Sequence, residues 1–150
     1  MGSLERFFEY ALDFEKTYDD DDWSRLERYF APDAVYEVRN TGFGCRIEGA
    51  RAILRGIKHS LDGFDRRLTK RTVDVVGAPA DQGDTVSLGW TATYQTPGAP
   101  PFVLRGRSTA RYRGDAIVEL VDDYPDGMDA EGAAWIETYA PDLGLNAAYL

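Results

Sequence analysis

The chain is poor in the residues on which several chemistries depend. Its 150 residues include one cysteine, Cys45, and one histidine, His59. A single thiol excludes an internal disulfide and a cysteine cluster for zinc. A single imidazole excludes every mechanism that needs two. Positive charge is outnumbered, with 17 basic against 26 acidic residues and a net charge of -9. Such a surface repels phosphate backbones and anionic lipid, so neither nucleic acid nor a membrane is an expected partner. No apolar run approaches the roughly 18 residues that a membrane span needs. The 15 glycines and 7 prolines are ordinary numbers, which excludes collagen-like and low-complexity readings. There is no basic stretch followed by an apolar one at the start, and Arg6 stands where a myristoylation signal wants Ser or Thr. The expected location is cytoplasmic.

What the chain does have is an ordered succession of patterns, with no repeat and no linker. At about 100° per residue, Leu4, Phe7, Phe8, Ala11, Phe14 and Tyr18 share one stripe. Glu5, Arg6, Glu9, Asp13 and Lys16 take the other side, which predicts an amphipathic helix. The run Asp19–Asp22 ends it and caps a second predicted helix, Trp23–Phe30, closed by Pro32. That run is not a calcium loop, because it lacks the Asp-x-Asp-x-Asp-Gly spacing and the distant Glu. Ala34–Asn40 reads as a strand and Thr41–Gly44 as a turn. Gly49 opens a third helix with the stripe Ala50, Ile53, Leu54, Ile57, Leu61 and Phe64. His59 lies opposite that stripe and is expected to be exposed and inert. From Arg67 the period becomes two. Predicted strands are Leu68–Gly77, Thr85–Thr96, Phe102–Arg113 and Ile117–Tyr124, followed by a helix over Ala130–Tyr139. Helices first and consecutive strands after them imply one α+β domain over residues 1–150, with an antiparallel sheet.

Alternation then sorts the side chains. Phe102, Leu104, Gly106, Ser108, Ala110 and Tyr112 share one face of their strand, against Arg105, Arg107, Arg111 and Arg113. Val118, Leu120, Asp122 and Tyr124 share a face of the last strand, against Glu119, Val121 and Asp123. The charged faces complement each other across the two strands. The apolar faces must meet the helices, which places Asp122 among apolar neighbours, where burial raises a carboxyl pKa.

The stretch from Tyr18-Asp19 through Trp23-Ser24-Arg25-Leu26 to Tyr29-Phe30-Ala31-Pro32-Asp33-Ala34-Val35-Tyr36-Glu37-Val38 resembles the helix–helix–strand opening of the nuclear transport factor 2-like superfamily. Gly49-Ala50-Arg51-Ala52-Ile53 resembles its entry into the third helix, and Ile117-Val118-Glu119-Leu120-Val121-Asp122 resembles the last strand of SnoaL-type polyketide cyclases. The resemblance runs from about Leu4 to Tyr124. It implies a SnoaL-like domain, a curved antiparallel sheet wrapped around the N-terminal helices as a cone with an open mouth. It also implies a homodimer built through the opposite sheet face, here Arg105, Arg107, Arg111, Glu119 and Asp123. The fold hosts many functions and names no reaction.

The chemistries of the superfamily can be held against these residues. The ketosteroid isomerase base and tyrosine fall on Val38 and Phe14, which cannot move a proton. The Asp-Arg-Asp set of limonene epoxide hydrolases has no counterpart around Arg105 and Arg107. The scytalone dehydratase pair falls on Asp19 and Lys70, with Tyr18 matching a tyrosine of that enzyme. An Asp19–Lys70 ion pair is one candidate acid/base couple; a capping Asp beside a solvated Lys is the alternative. The SnoaL-type cyclase base falls on Asp122, with Leu120 where those enzymes carry a histidine.

The expected function is therefore a cofactor-independent, metal-free enzyme acting on a small, partly apolar carbonyl or hydroxy compound. Proton abstraction would lead to isomerisation, elimination or ring closure. Asp122 or Asp19 is the base, with Asp122 favoured, and Tyr36 or Tyr18 polarises the oxygen. Phe14, Tyr18, Tyr36, Lys70, Trp90, Tyr94 and Leu104 are the expected substrate contacts. A non-catalytic ligand-binding protein and a protein-interaction module of the same fold are the alternatives, the latter requiring a filled cone.

Overall fold

The computed structural model describes residues 2–150. The elements are α1 (Ser3–Asp20), α2 (Ser24–Glu27), β1 (Phe30–Arg39), β2 (Cys45–Glu48), α3 (Ala50–Gly63), β3 (Lys70–Gln82), β4 (Thr85–Gln95), β5 (Phe102–Arg113), β6 (Ala116–Asp123) and α4 (Met128–Tyr139). The strands form one curved, unclosed sheet in the order β2-β1-β6-β5-β4-β3. This is the expected α+β architecture with one correction. β1 runs parallel to β6, whereas every other pair is antiparallel. A hairpin cannot make a parallel pair. The chain returns to β1 only after α3 and four other strands, β2 to β5, and that long crossover permits it.

Two tight turns have a legible cause. Gln82 pairs with Thr85 and Arg113 with Ala116, leaving Gly83-Asp84 and Gly114-Asp115 as two-residue loops. Gly83 takes φ 74 and Gly114 φ 62. Glycine at the first position with positive φ matches the right-handed twist of a hairpin.

Other boundaries differ from expectation. β3 continues to Gln82 instead of stopping at Gly77. Gly77 takes φ 73 and the register slips between Val76 and Ala80, so Gly77 and Pro79 form a bulge inside an edge strand. α2 spans only Ser24–Glu27, because the chain is already extended at Phe30. Pro32 falls in the register irregularity between Phe30 and Val35, where its missing N–H breaks no ladder bond. β2 was not foreseen; four residues with only Ile47 buried carry too short an alternation to read.

α1 is amphipathic as expected, but its closed side is Phe7, Tyr10, Asp13 and Thr17. Phe8, Ala11 and Phe14 face a cavity that Phe7 and Tyr10 also border, and Leu12 is 67% exposed. The polar members of the closed side are satisfied locally. Tyr29 Oη donates to Asp13 Oδ2 at 2.5 Å and Arg28 donates to the same oxygen at 3.0 Å. The Tyr29 hydroxyl bond, with Arg28 and Lys16, holds Asp13 below the usual carboxylate range against its desolvation.

The sheet obeys its alternation. In β5, Phe102, Ser108, Ala110 and Tyr112 are buried, while Val103, Arg105, Arg107, Arg111 and Arg113 are exposed. Arg107 lies opposite Asp123 and Arg111 opposite Glu119. Among the described residues, however, these charges form no ion pair within 4.0 Å, and Arg105 pairs with Glu131 of α4 at 2.9 Å instead.

Gly106 is the seat of the Trp90 indole, since any Cβ there would overlap the ring. Gly106→Ala is expected to destabilise the protein by about 1–3 kcal/mol through overpacking, measured by urea unfolding. An unchanged midpoint would show that the indole has room to move.

Candidate active site

A cavity of about 360 Å³ lies inside the cone. Its walls come from α1, α3, the inner sheet face, α4 and the C-terminal segment, and its lining is mainly apolar and aromatic. Of the expected site residues, Phe14, Tyr36, Trp90, Tyr94, Leu104 and Asp122 line it.

Asp122 sits at one pole. Tyr36 Oη donates to Asp122 Oδ2 at 2.6 Å, and Ser108 Oγ donates to Oδ1 at 2.5 Å. Trp90 Nε1 donates to Ser108 Oγ at 2.9 Å, which orients the hydroxyl toward the carboxylate. Register produces this group: Ser108 is directly opposite Asp122, Trp90 opposite Gly106, and Val38 beside Asp122. Among the described residues, no cation is hydrogen-bonded to the carboxylate. Burial therefore raises the Asp122 pKa, with the Ser108 and Tyr36 hydroxyls acting in the opposite direction. The role expected for Tyr36 changes accordingly, because its hydroxyl is given to Asp122 instead of a substrate oxygen.

A second buried carboxylate, Asp65, follows α3 at another part of the lining. Its Oδ2 accepts from Tyr94 Oη at 2.8 Å and from Arg71 Nε at 3.1 Å. Arg71 also reaches Glu15 at 2.7 Å and lies over the Tyr18 ring at 4.6 Å. Burial raises the Asp65 pKa as well, opposed chiefly by the Arg71 charge and the Tyr94 hydrogen bond.

The other expected residues fall outside. Asp19 and Lys70 are both exposed, form no ion pair with each other among the described residues, and do not line the cavity. Arg71 is the inward residue, since neighbours on a strand face opposite ways. Tyr18 is half-buried behind the lining and donates to the Asp65 carbonyl at 3.3 Å. The acidic run is engaged elsewhere: Asp20 pairs with Arg25, and Asp21 with Lys58 and Arg66.

Sequence reasoning missed Asp65, Arg71, Tyr10 and Tyr149, all of which line the cavity. Tyr10 is hidden by the helix stripe, and Asp65 lies in a connection without periodicity. Tyr149 follows the last periodic element. The hydroxyls of Tyr10 and Tyr124 have no hydrogen-bond partner among the described residues, that of Tyr149 lies beside the Tyr36 and Ser60 hydroxyls, and all three side chains line the cavity. Burial and the Asp122 charge raise the pKa of all three, so they remain protonated donors at neutral pH. Among the described residues, no group of three or more His, Cys, Asp or Glu side chains could hold a metal ion, and no helix is long and apolar enough to cross a membrane.

The fold and this lined cone define a class, and the comparisons agree with it. The model of the SnoaL-like domain family matches residues 4–120, and the chain belongs to that family. No functionally curated protein matches the sequence. Among solved structures, it is similar to a nuclear transport factor 2-like protein of unknown function from Burkholderia pseudomallei, at 13% identity and TM-score 0.65, over 87% of this chain and 97% of that one. It is similar to TerC, crystallised with polyporic acid, at 18% identity and TM-score 0.63, over 88% and 98%. It is also similar to a protein of Xanthomonas campestris pv. campestris provisionally named a polyketide cyclase, at 18% identity and TM-score 0.62, over 88% and 97%. At these identities the likeness is one of fold.

Arg71 offers a direct test of the second pole. Arg71→Leu leaves the Asp65 carboxylate buried without its cation, which costs about 3–5 kcal/mol at neutral pH. The loss is expected to shrink as pH falls and Asp65 takes up a proton. A denaturation midpoint that is equally lowered at pH 4 and pH 8 would contradict this.

Proposed function

We propose that the protein is a cofactor-independent enzyme whose base is Asp122, acting on a small, ring-bearing, largely apolar carbonyl compound. The observation that carries this reading is a buried carboxylate that has no cation partner among the described residues and is held by Tyr36 and Ser108 in an aromatic cavity. Asp122 takes a proton from the carbon beside the carbonyl, and the C–H electron pair moves to the carbonyl oxygen as an enolate. A neutral phenol of the lining donates to that oxygen. Return of the proton elsewhere gives isomerisation; loss of a β-substituent gives elimination; attack on a second carbonyl gives ring closure. Tyr36 is a positioning residue that holds Asp122 and favours its ionised form. Polyporic acid, the compound crystallised with TerC, and the cyclase name of the Xanthomonas protein support a cyclic, oxygenated ligand. The open cavity speaks against the interaction-module alternative.

The test is solvent deuterium exchange into aryl ketones and 1,3-diketones, followed by mass spectrometry. Asp122→Asn should lower exchange by about 100-fold or more while ligand affinity stays within about tenfold. Because the base must be ionised and burial raises its pKa, the rate should climb with pH through a value above the usual carboxylate range. Binding without exchange in the parent would favour the second reading, a carrier, for which the prior engagement of both Asp122 oxygens speaks.

The same pKa direction fixes a stability effect. A carboxyl whose folded pKa is raised favours the folded state below its unfolded pKa and loses that contribution as pH rises. Asp122→Asn should therefore melt higher than the parent at pH 7, with the gap narrowing toward pH 4. A variant less stable at neutral pH would contradict the assignment of Asp122 as an unneutralised charge.

We also read residues 1–150 as one SnoaL-like domain and the arginine-bearing outer sheet face as the contact between two copies. Association should weaken with salt; sedimentation as a monomer at micromolar concentration and low salt would sink it.

A further inference from the structure

α4 and the C-terminal segment lie beyond the family match, which ends at residue 120. The segment is nevertheless held along one side of α3 by a series of backbone contacts. Arg67 donates to the Leu143 and Gly144 carbonyls at 3.3 Å each. Asn146 N donates to Gly63 O at 2.9 Å, and Ser60 Oγ donates to Ala147 O at 2.6 Å. His59 Nδ1 lies 2.8 Å from Ala148 O, so the imidazole expected to be inert fastens the segment. The surface beneath is cut to fit. A Cβ at Gly63 would overlap the Asn146 carbonyl oxygen, and one at Gly56 would lie 3.2 Å from Tyr149 O. Gly56, Ser60 and Gly63 recur at helical spacing, so a track of small residues lets the extended chain approach the α3 backbone.

The track delivers Tyr149 to the site. Its ring meets the Tyr36 ring edge-on at 5.6 Å between centroids. Its hydroxyl lies beside those of Tyr36 and Ser60, which donate their own protons to Asp122 Oδ2 and the Ala147 carbonyl. Because about 360 Å³ remains with Tyr149 and Ala147 in the lining, the segment walls the cavity without filling it.

We propose that residues 143–149 are a strap that completes the ligand site, and that Tyr149 touches the ligand by donating its hydroxyl to the ligand oxygen. This rests on reading the cavity as a small-molecule site. Tyr36 cannot make that donation, because its hydroxyl is committed to Asp122. An oxygenated ring compound seated against Tyr149 is then held between a neutral donor and the carboxylate.

The experiment compares two probes, 2-naphthol and naphthalene, by calorimetric titration. Tyr149→Phe keeps the ring and removes the donor. It should weaken 2-naphthol about 3- to 10-fold and leave naphthalene within about twofold. Gly63→Ala alters no lining residue but pushes the strap off its track, and truncation after Leu145 removes Tyr149 outright. Each should weaken both probes about tenfold, because an aromatic wall is lost. Unchanged 2-naphthol affinity in Tyr149→Phe overturns the proposal. Tighter binding after truncation also overturns it, since the strap would then compete with the ligand. A parent protein that binds neither probe refutes the small-molecule reading itself, and this proposal with it.

Discussion

The arrangement of the molecule turns on one unfavourable fact, an Asp122 carboxylate inside an apolar cone with no cation hydrogen-bonded to it among the described residues. A buried charge is strongly disfavoured unless something replaces its water. Here two hydroxyls do so, one on each carboxylate oxygen. Each comes from a different strand neighbour of β6: Tyr36 from the parallel partner β1, and Ser108 from the antiparallel partner β5. The parallel pairing, which the expectation of an antiparallel sheet missed, is thus what brings Tyr36 to the site. Had β1 paired elsewhere, the carboxylate would keep one hydroxyl and lose the other.

Sheet curvature and the relay behind Asp122 are equally linked. Trp90 reaches Ser108 only because position 106 carries no side chain, and the indole occupies that space. Trp90 in turn packs edge-on against Tyr124, with ring centroids 5.9 Å apart. A single missing Cβ therefore connects the backbone of β5, the orientation of a hydroxyl and the environment of Asp122. Across the two strands Val86 lies opposite Ala110, Leu88 opposite Ser108 and Trp90 opposite Gly106, so at these three positions a large β4 side chain meets a small β5 residue.

Much of this was legible in the sequence, and the reason is periodicity. Strand alternation placed Ser108, Leu104 and Asp122 on the inner face, and helix spacing placed Phe14 toward it. The order of elements carried the α+β class. Alternation also explains the failure at Lys70: a one-residue offset sends a side chain to the opposite face, and Arg71 is the inward one. Tyr18 and Asp19 failed for a related reason, since the rotation of α1 is set by Tyr10, Asp13 and Thr17, polar residues that an apolar stripe ignores. Asp65 and Tyr149 sit where no period exists. Their positions follow from tertiary hydrogen bonds, Tyr94 and Arg71 for the one and the α3 track for the other. The only sequence trace of that track is Gly56, Ser60 and Gly63, which reads equally well as a weak point in a helix.

The two buried aspartates show how one residue type acquires opposite roles within one cavity. Asp65 is neutralised by Arg71, whose second carboxylate partner, Glu15, reaches it from α1. That pole therefore joins α1 to β3 and to the end of α3, and a proton taken up there would disrupt an ion pair. Asp122 has hydroxyls only, so protonation relieves a desolvated charge instead of breaking a pair. A group whose neutral and ionised forms are both tolerable can exchange a proton with a ligand; a group locked in an ion pair cannot do so without loosening the fold. The same contrast separates the tyrosines. Tyr94 and Tyr36 have given their hydroxyls to carboxylates, while Tyr10, Tyr124 and Tyr149 have not. The Asp122 end of the cone is thus the end where, among the described residues, the charge has no hydrogen-bonded cation and the Tyr10 and Tyr124 phenols are not given to another side chain.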